Sequence, residues 1–235
     1  MALQLDHVHV RSGTFDLAAD LTLDAGARVA IIGASGSGKS TLLDVIAGFL
    51  PVQSGRVRWA GQDITGLSPA DRPVSILFQD SNLFPHLTLR RNLALALNPA
   101  SGRLRTGDDT RIEDSLARVG LAGFADRRLS EMSGGQQSRA ALARVLLQGR
   151  PVLLLDEPFA ALGPALKAEM LDLVSDVAGA EGLTVLLVSH DPKDARRFAP
   201  HTIVVEEGQV HPPRDTSSLL DNPPPGLRAY LGGDD

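Results

Sequence analysis

Gly33-Ala34-Ser35-Gly36-Ser37-Gly38-Lys39-Ser40 sets glycines, a lysine and a hydroxyl in the spacing G-x-x-x-x-G-K-[ST]. It follows an apolar stretch, Arg28 to Ile32, and opens a helical pattern, so it lies where a strand hands over to a helix. Glycines let backbone N–H groups wrap round phosphates, and the start of the following helix adds a positive dipole end. Lys39 would reach the β- and γ-phosphates, Ser40 would hold Mg²⁺, and Thr41 would reach the α-phosphate. The embedded Gly36-Ser37-Gly38 does not make a dinucleotide fingerprint, because Thr41 stands where its last glycine belongs.

Val152-Leu153-Leu154-Leu155 runs into two carboxylates, Asp156 and Glu157. A buried parallel strand delivers its C-terminal residues to the ligand crevice of its sheet. Asp156 is then placed to hold Mg²⁺ through water, and Glu157 to activate a water as general base. Ser133-Gly134-Gly135-Gln136, ahead of a helical pattern, is a second helix start suited to an anion. From the residues alone several explanations stay open, an ordinary turn among them.

These groups need a scaffold, and the hydrophobic patterning supplies one. Alternation over Leu3 to Val10 and Phe15 to Leu23 predicts two half-buried strands forming a hairpin-like edge. Short apolar runs at 28–32, 152–155 and 184–188 predict buried strands, with another short strand over Gly55 to Trp59, and Val74 to Phe78 is a further apolar run that leads into Gln79. Helical spacing covers Lys39 to Leu50 (stopped by Pro51), Thr88 to Leu97, Thr110 to Val119, Gln136 to Leu147 and Ala165 to Ala178. Asn98 to Asp109 reads as a loop, and Ile203 to Glu206 with Gln209 to His211 as a closing hairpin. The proline-rich tail predicts an extended surface segment with a short helix near Leu227 to Leu231. The pattern is an α/β core carrying a helical insertion.

Composition narrows the partners. A chain of 235 residues with 43 % hydrophobic residues buries a sizeable core. Net charge is −5, with 23 basic and 28 acidic residues, so no nucleic-acid partner is expected. There is no cysteine, which excludes disulfides, thiolate metal sites and thiol nucleophiles. The start, Met1 to His7, lacks secretory-signal character, and no apolar run approaches the roughly 20 residues of a membrane helix. A membrane contact is therefore expected to run through a partner. His7, His9, His201 and His211 are scattered, and no metal set is evident around them.

The phosphate loop, Gln79, Ser133 to Gln136, Asp156-Glu157 and Ser189-His190, in this order and spacing, resemble the ABC ATPase family over nearly the whole chain. The resemblance implies a P-loop NTPase (RecA-like) core, residues 1–79 and 151–235, with an N-terminal antiparallel β region. It implies an inserted helical subdomain, residues 80–150, that carries Ser133 to Gln136. It further implies ATP and Mg²⁺ as cofactors and a head-to-tail dimer, in which Ser133, Gly134, Gly135 and Gln136 touch the partner's γ-phosphate. Gln79 would sense Mg²⁺ and the attacking water, and His190 would contact the γ-phosphate. Transmembrane permease subunits would dock on the segment of Leu83, Phe84, Pro85 and His86, whose other reading is subdomain core. A substrate-binding protein would act indirectly, and the chain would sit at the cytoplasmic face of the inner membrane.

The chain departs from the family pattern at several positions. Met132 replaces the usual leucine, Ser138 a glutamine, and Gly163 an aspartate at the dimer seam. No aromatic follows the first strand to stack on adenine; Arg11 or Ser12 stands there, with Phe15 a weak candidate. No regulatory domain is expected after the last hairpin. Leu42 to Leu50, Arg72 to Gln79, Asn82-Leu83-Phe84, His86-Leu87-Thr88, Leu97-Asn98-Pro99 and Pro164 to Ser175 look most like ATP-binding subunits of thiamine importers. Importers of sulfate, iron or molybdate are the near alternatives, and a soluble non-transport ATPase a more distant one. Asp63-Ile64-Thr65-Gly66 fits the D-x-x-G of a GTPase switch, but no Asn-Lys-x-Asp follows to read guanine.

Overall fold

The computed structural model describes residues 2–79 and 83–230; Asn82 and Leu231, named above, lie outside them. β1 (Ala2–Ser12) and β2 (Phe15–Asp24) pair antiparallel. The apolar set changes parity from Leu3 and Leu5 to Val8 and Val10, yet all four are buried. A β-bulge between Leu5 and Val8, with His7 at φ 48°, absorbs the extra residue. The bulge sets His7 beside Asp20, both exposed, and a half-buried His9 beside the exposed Asp16. β3 (Arg28–Ile32) leads into the phosphate loop and α1 (Lys39–Ala47), and β4 (Ser54–Trp59) and β5 (Gln62–Asp63) form the next hairpin.

β6 (Val74–Leu77) is followed by α2 (Leu89–Leu97), α3 (Asp108–Arg118), a 3-10 turn at Leu129–Glu131, and α4 (Gly134–Leu146). Then come β7 (Val152–Asp156), α5 (Pro164–Glu181), β8 (Thr184–Val188), α6 (Pro192–Phe198), β9 (His201–Glu206) and β10 (Gln209–Val210). β11 (Arg214–Asp215), α7 (Thr216–Asp221) and α8 (Pro225–Tyr230) complete the described chain.

The strands run β5-β4-β1-β2-β10-β9-β3-β8-β7-β6, with β11 beside β9. β9, β3, β8, β7 and β6 are parallel. β10 joins the two halves, antiparallel to β9 and parallel to β2. Strand alternation divides the core into two layers. Val29, Ile31, Val152, Leu154, Leu186 and Val188 pack with α1 under the antiparallel strands. Ala30, Ile32, Leu153, Leu155, Val185 and Leu187 face the layer that contains α2 to α6.

Three expectations are corrected. The N-terminal hairpin is not an edge: β4 flanks β1, and β10 flanks β2. α1 stops at Gly48, not at Pro51. Gly48 takes φ 87°, and its N–H returns to Asp44 and Val45 carbonyls. Arg72, 2 % exposed, then fills the helix end, donating to the carbonyls of Val45 (2.7 Å), Ile46 (2.8 Å), Thr65 (2.7 Å) and Leu67 (3.2 Å). The tail is not an extended surface segment: besides the expected helix, which is α8, it forms α7, Leu219 and Leu227 are buried, and Thr202 and Thr216 share a buried hydroxyl pair at 2.8 Å.

Candidate functional site

The phosphate loop is wedged between two neighbours. A Cβ on Gly33 would run into the Val205 carbonyl, and one on Gly38 (φ 111°) would lie 2.8 Å from the Phe15 ring. The Gly208 amide donates to the Ser37 carbonyl at 3.0 Å, so the β9–β10 turn braces the loop from outside. Lys39 is 8 % exposed, and its Nζ donates to the carbonyls of Gly33 and Ala34, both at 2.8 Å. Burial pushes the Lys39 pKa down, while the nearby carboxylates of Glu157 and Asp156 pull it back up.

β7 and β3 end side by side across β8, which brings the acid pair to the loop. Ser40 Oγ donates to Asp156 Oδ1 at 3.2 Å. Burial pushes the Asp156 carboxyl above the usual range; the Ser40 hydroxyl opposes this, Glu157 adds to it, and Lys39 opposes it. Glu157 takes φ 47°, a left-handed conformation that a non-glycine residue holds at a cost of about 1–3 kcal/mol. The Glu157 amide donates to the Val188 carbonyl at 3.2 Å, which fixes the turn against β8. Glu157 Oε2 lies 3.3 Å from His190 Nδ1.

A cavity of about 380 Å³ joins these groups, lined by the loop together with Phe15, Thr41, Glu157, His190 and Tyr230. The structure thus gathers Gly33, Ser35, Gly36, Gly38, Lys39, Ser40, Thr41, Glu157 and His190 at one wall, with Asp156 hydrogen-bonded to Ser40. Gln79 is exposed two residues past β6 and does not line the cavity.

Ser133 to Gln136 do not line it either. Ser133 caps α4: its Oγ accepts from the Gln136 amide at 3.4 Å, and Gln136 Oε1 accepts from the Ser133 amide at 3.0 Å. Gly135 is tight against Leu166 of α5, whereas Gly134 faces open space. Met132 keeps the apolar role of the leucine it replaces, at 6 % exposure.

The cavity wall holds one residue that the sequence names only weakly and one that it does not reveal. Phe15, weak as a sequence candidate, forms part of the cavity wall. Tyr230, the single tyrosine, reaches the same cavity from the far end of the chain; a tail tyrosine carries no local signal. α6 was also unread, although Asp191-Pro192 is a cap followed by an N1 proline, and Asp191 does accept from the Lys193 amide at 2.9 Å.

A family model described as "ABC transporter" matches residues 18–160. The chain belongs to the ABC transporter family, whose activity is ATP hydrolysis. It is 60 % identical over 98 % of its length to the thiamine import ATP-binding protein ThiQ of Cereibacter sphaeroides, covering 99 % of that protein. It is 56 % identical, with the same coverage, to the ThiQ of a Ruegeria species. The crystal structure of the ADP conformation of MJ1267, an ATP-binding cassette of an ABC transporter, superposes over 100 % of both chains with a TM-score of 0.86 and 25 % identity. A dimeric post-hydrolysis state of the cassette MJ0796, bound to ADP and Pi, matches 91 % of this chain and 98 % of that one, with a TM-score of 0.74 and 29 % identity. The fold is that of a P-loop NTPase.

Proposed function

We propose that this chain is the ATP-hydrolysing subunit of an importer for thiamine or its phosphates. The hydrolytic part rests above all on the convergence of Lys39, Ser40, Glu157 and His190 on one cavity wall, with Asp156 tied to Ser40. The cargo rests on the near full-length similarity to thiamine import subunits.

The amides of the loop bind the phosphates, and Lys39 exchanges two backbone carbonyls for phosphate oxygens. The Ser40 hydroxyl beside a carboxylate that burial has destabilised is an oxygen pair suited to a hard divalent cation. Ser40 and Asp156 would hold Mg²⁺, which neutralises phosphate charge when bound; Gln79, outside the cavity, would join them only by the role that the family resemblance gives it. Glu157 takes the proton of the attacking water as ATP passes to ADP and phosphate, and His190 steadies the γ-phosphate. Phe15, whose ring packs beside Gly38, offers an aromatic surface for the base.

The capped helix start at Ser133 to Gln136 serves a second copy of the chain, arranged head to tail. Residues 80–150 act as the helical lobe. Phe84 supports docking of permease subunits there: it is 43 % exposed, so it is not a core residue of that lobe. No helix among the described residues is long and apolar enough to cross a membrane. In this reading the permease holds the chain at the inner membrane's cytoplasmic face.

Reconstitution with the cognate permease and binding protein tests the cargo. Thiamine should stimulate ATP turnover, and sulfate, molybdate or iron should not; stimulation by one of those with none by thiamine overturns it.

Gly163 gives a further expected result. It caps α5 at φ −64° and ψ 157°, an ordinary extended conformation, and a Cβ there meets nothing within 4 Å. Aspartate therefore fits without strain, and as an N-cap it should add a few tenths of a kcal/mol. Gly163→Asp should raise the Hill coefficient of ATP hydrolysis and the ATP-bound dimer fraction, with the melting temperature unchanged or slightly higher. Unaltered cooperativity in a folded variant would show that the seam does not use this position.

A further inference from the structure

We propose that Tyr230 is a positioning residue of the hydrolytic site, holding the His190 loop so that the imidazole stays on Glu157. The inference rests on the roles given above to Glu157 and His190.

The Tyr230 hydroxyl donates to the His190 carbonyl at 2.8 Å. This bond joins residues 40 apart in sequence, and it reaches the one loop residue whose ring faces the general base. α8, which carries Tyr230, is itself anchored. Leu227 is 2 % exposed, and Gly226 packs so closely on the Glu206 carboxylate that a Cβ would collide with it. Tyr230 lines the catalytic cavity on one side and a second cavity, between the phosphate loop and α8, on the other. Its hydroxyl stays protonated, because burial first, and then the charges of Glu157 and Asp191, push its pKa up.

The residues flanking His190 have their own anchors. Ser189 Oγ donates to Asp194 Oδ2 at 2.6 Å, and Lys167 of α5 bridges Asp191 (3.2 Å) and Asp194 (3.0 Å). The His190 side chain, by contrast, is 60 % exposed and meets Glu157 at 3.3 Å, a long contact that does little to fix the ring. Restraint of its backbone carbonyl limits where the ring can go. The tail thereby acts on turnover without touching the reacting atoms.

Tyr230→Phe keeps the ring and removes the donor. In the purified full chain, kcat should fall about three- to tenfold, while KM and the ATP Kd stay within about twofold. In a His190→Ala background the same substitution should cost nothing further, because its effect passes through His190. Imidazole NMR signals of His190 should shift in Tyr230→Phe, while those of His201 and His211 stay in place. An unchanged kcat and His190 signal would overturn the proposal, as would an equal loss in both backgrounds. Near-normal turnover in Glu157→Gln would instead overturn the hydrolytic roles themselves, so the two failures are distinguishable.

Discussion

Glu157→Gln is expected to bind ATP normally and to hydrolyse it about two to four orders of magnitude more slowly. Glutamine keeps the shape of the side chain and a hydrogen-bonding partner for His190 Nδ1, which lies 3.3 Å from the carboxylate. It fits the same backbone turn, since the φ of 47° is set by the link to β8 rather than by the carboxyl group. What it lacks is a lone pair basic enough to take a proton from water. Retained nucleotide should also favour the closed pair of cassettes by mass action. Nucleotide titration and single-turnover hydrolysis separate the two effects. Turnover near the parent rate would remove Glu157 from the role of base.

Arg72→Met is expected to cost about 3–5 kcal/mol of folding stability. The guanidinium is buried and caps a helix end: four carbonyls accept from it, two of them in the last turn of α1. Methionine fills part of the volume but leaves those acceptors buried without donors. A chain of this size should melt about 10 °C lower. Arg72→Lys should recover only part of the loss, because an ammonium cannot span acceptors on two segments as the planar fork does. Chemical denaturation measures both. A midpoint unchanged in Arg72→Met would mean that water or a rearranged turn satisfies the carbonyls.

The parts of the site legible in the sequence are those in which local pattern and function coincide. The phosphate loop needs its glycines, lysine and hydroxyl at fixed spacing within one short segment, and β7 needs an apolar run before its two acids, so both are legible at their positions. The bulge in β1 was visible in principle as a change of parity between Leu5 and Val8. Arg72 and Tyr230 were not legible, because each acts across the fold, on α1 and on the His190 loop. The strained turn at Glu157 was hidden because a glutamate announces no left-handed backbone. Helix α1 was read too long because Pro51 outweighed Gly48, although the glycine takes the left-handed cap. The short helix expected near Leu227 is α8, whereas α7, just ahead of the proline run, was hidden, and the buried Leu219 carries its packing.

Four kinds of group converge on one cavity wall, while the start of α4 stands capped and outside it. On the proposed head-to-tail pairing, this wall is a half-site that a second copy completes. The chain has no cysteine, so introduced thiols report without background. Ser35→Cys with Gly134→Cys, in the Glu157→Gln background, tests the arrangement by oxidative cross-linking. Cysteine fits at position 134, where a Cβ meets nothing within 4 Å. Head-to-tail pairing predicts a covalent dimer that forms with ATP, does not form with ADP, and needs both thiols. Cross-linking indifferent to nucleotide, or no dimer while ATP is bound at normal affinity, would contradict it.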